Sequence, residues 1–134
     1  VSALAPKYVA LTWMVGGALR CTSGSLFRAV STPLGLQSWF ADRVEAVGNR
    51  YDFFWGKTSQ TAWIVHTKPN VSVRFQWDGD EKRALEMRID TEELTGGTIL
   101  TITDFVNDEE LDEERSLWDT LVEKLKRAIG CPKN

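Results

Sequence analysis

Two side chains in this sequence could carry acid–base chemistry, the single histidine, His66, and the carboxyl group of Asp104. Ala62, Ile64 and His66 recur at intervals of two, as do Ile102 and Asp104, and residues at that interval share one face of a β-strand. Buried beside each other, an imidazole and a carboxyl would have pKa values shifted by desolvation and could exchange a proton with a substrate. The competing interpretation is that both groups lie near strand ends and are solvated.

The sequence does not support nucleophilic, phosphate-loop or metal chemistry. No serine stands in a Gly-x-Ser-x-Gly elbow, and Gly16-Gly17 is not followed by the Gly-Lys-Ser/Thr of a phosphate loop. Cys21 and Cys131 form no CxxC, and with one histidine they match no zinc motif. We interpret both as free thiols of a cytoplasmic protein. We assign no catalytic residue, no metal and no cofactor, and the balance favours a protein that is not an enzyme.

Charge and composition narrow the range of partners. The net charge of -3 argues against nucleic acid, because domains that bind it carry a basic excess. The longest apolar stretch, residues 8–19, is shorter than the about 20 apolar residues that a membrane-spanning helix needs, so we expect no span. Six tryptophans are spread along the 134 residues, which indicates a large aromatic core or a lined cavity rather than one local patch.

Alternating segments joined by short turns predict an antiparallel meander, because the turns leave no room for crossover helices. A first strand is predicted over residues 9–15, which are rich in β-branched and aromatic side chains. The cleanest alternation of apolar and polar residues covers 71–77. The other predicted strands lie near residues 44–47, 51–55, 62–66, 85–89 and 99–103.

Two short helices are predicted between the first strand and the meander. Thr22 or Ser23 can cap the first of them, which runs to about Val30. Thr32 can cap the second, with a proline at its first helical position, and this helix is expected to end near Asp42.

The last predicted helix, roughly residues 109–129, has the strongest local signals. Asn107 can act as its N-cap with Glu110 completing a capping box, acidic residues crowd its first turns, and Gly130 ends it. At about 1.5 Å per residue it is long enough to cross a whole sheet. Its apolar stripe consists of Leu111, Trp118, Leu121, Val122, Leu125 and Ile129.

Several segments, taken together in their order along the chain, resemble the sequences of one family. Residues 26–33 and 36–42, which read helix, Thr-Pro and Leu-x-x-Trp-Phe, are similar to a segment of Aha-type proteins. These are homologues of the activator of the heat-shock protein 90 ATPase, within the START-like (SRPBCC, helix-grip) superfamily. Residues 97–103 resemble their last strand and residues 118–125 their C-terminal helix. Asp104-Phe105 and the acidic start of the last helix resemble a bacterial, Bacteroidetes-like START-like subgroup.

The resemblance covers residues 8–129 and implies a single START-like domain over residues 1–134. The implied fold is α+β: a seven-stranded antiparallel sheet curled around the long C-terminal helix, with two short helices between strands 1 and 2. It also implies a cavity between sheet and helix, which superfamily members use for lipids, sterols, polyketides and other apolar ligands. The family has no shared catalytic motif to carry over onto this chain.

The cavity would be lined by the inward face of the sheet and by the helix stripe. His66 and Asp104 are its candidate polar groups, since ligand sites add a few placed polar side chains to apolar walls. The alternative is that the apolar candidates pack as an ordinary core, because protein interiors are close-packed. The candidate lining residues are Phe53, Trp55, Phe75, Trp77, Met87, Ile102, Trp118, Val122 and Leu125.

Three functions are therefore compared. The favoured one is a domain that holds a hydrophobic small molecule or lipid between the sheet and the last helix. The alternative is a protein-interaction module of the heat-shock ATPase activator type, which the resemblance implies. Separately, an outward-facing Trp63 could seed a dimer. A cyclase- or hydrolase-type enzyme is the least favoured, because it would depend on His66 and Asp104 converging.

Overall fold

The computed structural model describes residues 8–15, 22–80, 83–91, 93–94 and 96–129. The expectations about Cys21, Cys131, Gly16-Gly17 and Gly130 concern residues outside these ranges. None of the helices in the described ranges has both the length and the apolar character needed to cross a membrane.

The architecture is an antiparallel sheet covered on one face by helices. Its strand order is β1-β7-β6-β5-β4-β3-β2, so the first and last strands are neighbours and the others follow one another along the chain. The α+β class, the antiparallel sheet and the C-terminal helix are confirmed. The strands are β1 Tyr8–Val15, β2 Arg43–Val47, β3 Arg50–Trp55, β4 Thr58–Lys68, β5 Ser72–Trp77, β6 Ala84–Thr91 and β7 Thr98–Asn107.

Three α-helices complete the fold: α1 Ser23–Ser31, α2 Pro33–Gln37 and α3 Leu111–Ile129. The predicted caps form, because Thr22 Oγ1 accepts from the Ser25 N–H and Thr32 Oγ1 accepts from the Gly35 N–H. These two helices carry the chain from β1, at one edge of the sheet, to β2 at the other.

The second helix ends at Gln37, whereas the sequence predicted an end near Asp42. The Ser38 hydroxyl donates to the Gly35 carbonyl at 2.6 Å, and the Ala41 N–H donates to the Leu36 carbonyl at 3.2 Å. These bonds close a turn that ends the helix. Trp39 and Phe40, the two aromatic residues of this turn, are both buried.

The last helix begins in two stages. Asn107 Oδ1 accepts from the Glu109 N–H at 3.0 Å and caps a short 3-10 turn, Asp108–Glu110, before α3 starts at Leu111. The cap is the predicted one, and the α-helix starts slightly later than expected. Its buried stripe faces the sheet and consists of Trp118, Leu121, Val122 and Leu125.

The core lies between the inner face of the sheet and the helices. Along β7 every second residue from Thr98 to Val106 is buried, as expected of a strand with one face covered. Full burial of each large apolar side chain stabilises the fold by roughly 1.5–3 kcal/mol. The side chains that are almost completely buried on the strands include Phe53, Val73, Phe75, Leu85, Met87, Leu100 and Ile102.

A bulge in β4 changes which face its end presents. Ile64 faces Phe75, but His66 faces Arg74, so Val65 is an extra residue in the ladder. An inserted residue moves the side chains beyond it to the other face of the sheet. Arg74 alternates with the buried Phe75 and lies on the outer face, and His66 joins it there, exposed. The prediction that His66 points inward is therefore wrong.

Gly35 allows α1 and α2 to approach closely. A Cβ at this position would lie 2.0 Å from the Arg28 carbonyl oxygen and 2.7 Å from the Ala29 Cα, and both atoms belong to backbone. We expect Gly35→Ala to lower the free energy of unfolding by roughly 1–3 kcal/mol or more, because the helices must separate. Urea denaturation followed by tryptophan fluorescence measures the change.

The matched control is Gly24→Ala, also in a short helix. A Cβ there would make only ordinary contacts, at 3.6 and 3.7 Å. This variant should be neutral or more stable by up to about 1 kcal/mol, since alanine favours the helix. Equal stability of the two variants would contradict the close-packing explanation.

Candidate ligand-binding site

A cavity of about 350 Å³ lies between one end of the sheet and the first half of α3. Its volume is at the lower end of the about 300–1,000 Å³ range typical of small-molecule pockets. Most of its surface is apolar and comes from Trp55, Trp77, Leu85, Trp118 and Leu121, together with Phe40 and Leu117. Its charged side chains are Arg83, Asp104 and Glu114.

Three of the nine predicted lining residues, Trp55, Trp77 and Trp118, line this cavity. The other six belong to the packed core, where the alternative interpretation had placed them. All six are buried, as expected of a close-packed interior. These six are Phe53, Phe75, Met87, Ile102, Val122 and Leu125.

Several lining residues were not among the candidates. Leu85 and Leu121 carried a signal, since they continue the alternation of β6 and the stripe of α3. Phe40 lies in the turn after α2, where no periodicity marks it, and Arg83 and Glu114 resemble solvated charges in the sequence. Among these, only the two leucines could have been found from the pattern.

Four rings, those of Phe40, Trp55, Trp77 and Trp118, form what we call the aromatic wall. The Phe40 ring centroid lies 5.6 Å from that of Trp55, 5.9 Å from that of Trp118 and 6.5 Å from that of Trp77. The Trp55 indole N–H also donates to the Phe40 carbonyl at 2.7 Å. Such ring pairs add about 0.5–1.5 kcal/mol each beyond their buried area, so the turn after α2 is held firmly against β3.

Asp104 is the most deeply buried charged residue among those that line the cavity, with 4% of its surface exposed. It lies on β7 opposite Leu85, and its Oδ2 accepts a 2.7 Å hydrogen bond from the Trp118 indole N–H. Burial raises the pKa of Asp104 to about 6, against the opposing effects of the Trp118 hydrogen bond and the charge of Arg83. A carboxyl with that pKa changes its charge within the physiological range.

The remaining charges lie close to this carboxyl. Burial also raises the pKa of Glu114; the Arg83 charge opposes this, and neighbouring glutamates of the helix add to it. The charge of Arg83 therefore acts on two carboxyl groups, and the pKa of each is raised by burial.

Two N–H donors at this end of the cavity have no hydrogen-bond partner among the described residues. They are Trp77 Nε1 and Arg83 Nε, and both atoms are shielded from solvent. Leaving a buried donor unpaired costs about 1–3 kcal/mol.

The predicted imidazole–carboxyl pair does not form. Asp104 faces the interior, whereas His66 is exposed on the outer face beyond the β4 bulge. The two groups lie on opposite faces of the sheet and cannot share a proton. Within the described ranges, no group of three or more His, Cys, Asp or Glu side chains could hold a metal ion.

The fold agrees with the comparison to known families. The model of the START-like superfamily domain matches residues 11–131, and the chain therefore belongs to the START-like superfamily. Its structural neighbours include Aha1-like proteins, with which it shares a fold. No curated protein matches the chain.

Three solved structures illustrate the relationship. A Bacteroides fragilis protein determined by solution NMR is 34% identical, with 96% of each chain covered and a TM-score of 0.64. The Aha1 dimer from Colwellia psychrerythraea is 18% identical over 90% of this chain and 96% of that one, with a TM-score of 0.76. The AHSA1-like protein from Aeromonas hydrophila is 13% identical over 89% and 92%, with a TM-score of 0.68. The last two show a shared fold alone.

The raised pKa of Asp104 predicts a stability that depends on pH. An unfolded aspartate titrates near 3.9, and the folded pKa is about 6, so folding favours the protonated form. Its stabilising contribution is complete below about pH 4 and is lost as the pH rises through about 6. Asp104→Asn stays neutral and keeps an oxygen for the Trp118 N–H. Between pH 4 and pH 7.5 we expect the wild type to lose up to about 3 kcal/mol of unfolding free energy relative to this variant.

Urea denaturation at several pH values measures the difference between the two proteins. Asp112→Asn, at an exposed position of α3, serves as the control and should follow the wild type at every pH. Parallel curves for the wild type and Asp104→Asn would show that Asp104 titrates normally.

Proposed function

We propose that this chain is a binding domain that holds a hydrophobic small molecule, or the apolar part of a lipid, in the cavity between the sheet and α3. The observation that carries the proposal is the cavity itself: about 350 Å³ of space, with mostly apolar walls and a few polar groups at one end. That combination of apolar enclosure and few converging polar groups is typical of small-molecule sites.

The construction of the cavity supports this role. Trp55 and Trp77 come from the sheet and Trp118 from the helix, so the site forms only where the two layers meet. Empty space of this size beside large apolar side chains costs packing energy that a ligand would recover. The volume favours a compact molecule, such as a fused ring system, over a lipid with two acyl chains.

N-phenyl-1-naphthylamine, a neutral apolar dye, tests the proposal. We expect one molecule to bind with an increase in dye fluorescence, and a dye concentration of 100 times Kd to raise the free energy of unfolding by about 2.7 kcal/mol. Leu121→Trp fills the cavity from the helix side and should weaken binding by roughly tenfold or more, about 1.4 kcal/mol. Fluorescence titration measures both values.

Leu34→Trp is the matched control, because Leu34 is 79% exposed and lies in α2 away from the cavity. It should bind the dye as the wild type does. Equal affinity of all three proteins would place the dye outside the cavity, and no binding at all would remove the proposed function.

A second candidate function is a protein-binding surface of the heat-shock ATPase activator type. Its support is an apolar patch on β4, where Trp63 is 42% and Val65 55% exposed, on a fold shared with Aha1-like proteins. Large exposed apolar side chains that lie together mark interaction surfaces.

Activation of a heat-shock protein 90-type ATPase tests this candidate. The chain should raise the steady-state ATPase rate of the partner from its own host, and a Trp63→Ser, Val65→Ser double variant should abolish the increase. Leu94→Ser, at a 93% exposed position outside the strands, is the control and should activate normally. An unchanged ATPase rate with the wild type would reject this candidate.

A further inference from the structure

The indole N–H of Trp77 differs from those of three other tryptophans, Trp39, Trp55 and Trp118. Trp39 Nε1 donates to the Ala29 carbonyl at 2.8 Å, Trp55 Nε1 to a carbonyl at 2.7 Å, and Trp118 Nε1 to a carboxyl at 2.7 Å. Trp77 Nε1 is shielded from solvent but has no partner among the residues that the structure describes. Buried indole donors usually find an acceptor, so this position lacks one that the others have.

A second unpaired donor is held at the adjoining position of the sheet. The Trp77 backbone N–H donates to the Arg83 carbonyl at 3.1 Å, so the two residues oppose each other at the base of the β5–β6 turn. Gln76 Nε2 fastens the turn by donating to the same carbonyl at 2.7 Å and to the Asp80 carbonyl at 2.8 Å. Directly opposed residues project to the same face of a sheet, and both of these line the cavity.

We propose that the ligand carries a neutral carbonyl oxygen, which accepts hydrogen bonds from Trp77 Nε1 and Arg83 Nε at the polar end of the cavity. This inference rests on the proposed small-molecule binding function and specifies its ligand class. A carbonyl oxygen has two lone pairs, enough for two donors that come from opposed residues.

The charges around the cavity favour a neutral acceptor over a carboxylate. Asp104 and Glu114 line the same space, and Arg83 is the single cation among the described lining residues. An anionic ligand would add a third negative charge in surroundings poor in water, where an uncompensated charge is expensive. A cationic amine would leave both donors unpaired and would lie beside the guanidinium.

Three probes of nearly equal shape test the inference: 2-acetylnaphthalene, 2-ethylnaphthalene and 2-naphthoate. They offer the same ring with a neutral carbonyl, a hydrocarbon group and a carboxylate. Isothermal titration calorimetry at pH 8 should show the ketone binding roughly tenfold more tightly than the hydrocarbon, because it pairs the donors. The carboxylate should bind more weakly than the ketone.

Two variants locate the effect. Trp77→Phe keeps an aromatic ring but removes the N–H, so the preference for the ketone over the hydrocarbon should fall to about threefold or less. Trp55→Phe is the matched control, because the Trp55 N–H is already bonded to the protein and also lies in the cavity wall. This control should keep the full preference even if its overall affinity changes.

NMR provides a readout that needs no variant to bind tightly. In a ¹⁵N–¹H spectrum, the indole peak missing from Trp77→Phe identifies Trp77, and its proton should shift downfield with the ketone but not with the hydrocarbon. The Trp118 indole proton, already hydrogen-bonded, should move little with either probe.

The outcomes separate this inference from the proposed function. If the hydrocarbon and the ketone bind equally well, or the carboxylate binds best, the neutral-carbonyl inference is overturned while the binding function stands. An unshifted Trp77 indole proton in the ketone complex also overturns it. If none of the three probes binds, the proposed function fails and this inference fails with it.

Discussion

A buried hydrogen bond between the Trp118 indole and the Asp104 carboxyl joins the two layers of the molecule. It ties α3 to β7 and sets the position at which the helix crosses the sheet. Burying a carboxyl is unfavourable unless it is hydrogen-bonded, so the indole partly offsets the desolvation. Loss of either partner would leave a polar group unpaired in the interior. The same bond places a titratable group in the wall of a mostly apolar cavity.

The aromatic wall explains why there is space beside this bond. Large flat rings pack well edge to face, as Phe40 does against Phe53 with an interplanar angle of 85°. They cannot bend to fill a corner where three elements meet. Because Trp55 and Trp118 are also fixed by hydrogen bonds through their nitrogens, they are not free to rotate into the opening. The cavity thus follows from how rigid side chains pack at the end of the sheet.

The sequence predicted the elements well, since periodicity and capping act locally. The alternation around residues 72–77, the Thr32 cap and the Asn107 cap all appear in the structure. Which face of the sheet a side chain occupies is harder to predict, because one inserted residue reverses it. No glycine or proline marks the bulge at Val65, yet the bulge places His66 on the outer face.

The extent of the cavity could not be predicted from the periodicity of the sequence. Phe75 and Trp77 share a strand, a face and an aromatic character, but the first is packed core and the second lines open space. The difference is their distance from the end of the sheet, which depends on three-dimensional assembly. The same holds for Phe40, whose turn has no periodicity of its own.

The pairing of β1 with β7 has a consequence for how the protein folds during its synthesis. Tyr8 lies opposite Asn107, so the first described strand can pair only after a segment from the far end of the chain is present. Contacts so distant in sequence close slowly, and during synthesis they must wait until the later segment leaves the ribosome. Asp104 and Trp118 belong to that later segment as well. The pocket is therefore among the last features to assemble, and a nascent chain that stops short of α3 would expose the aromatic side chains meant to enclose it.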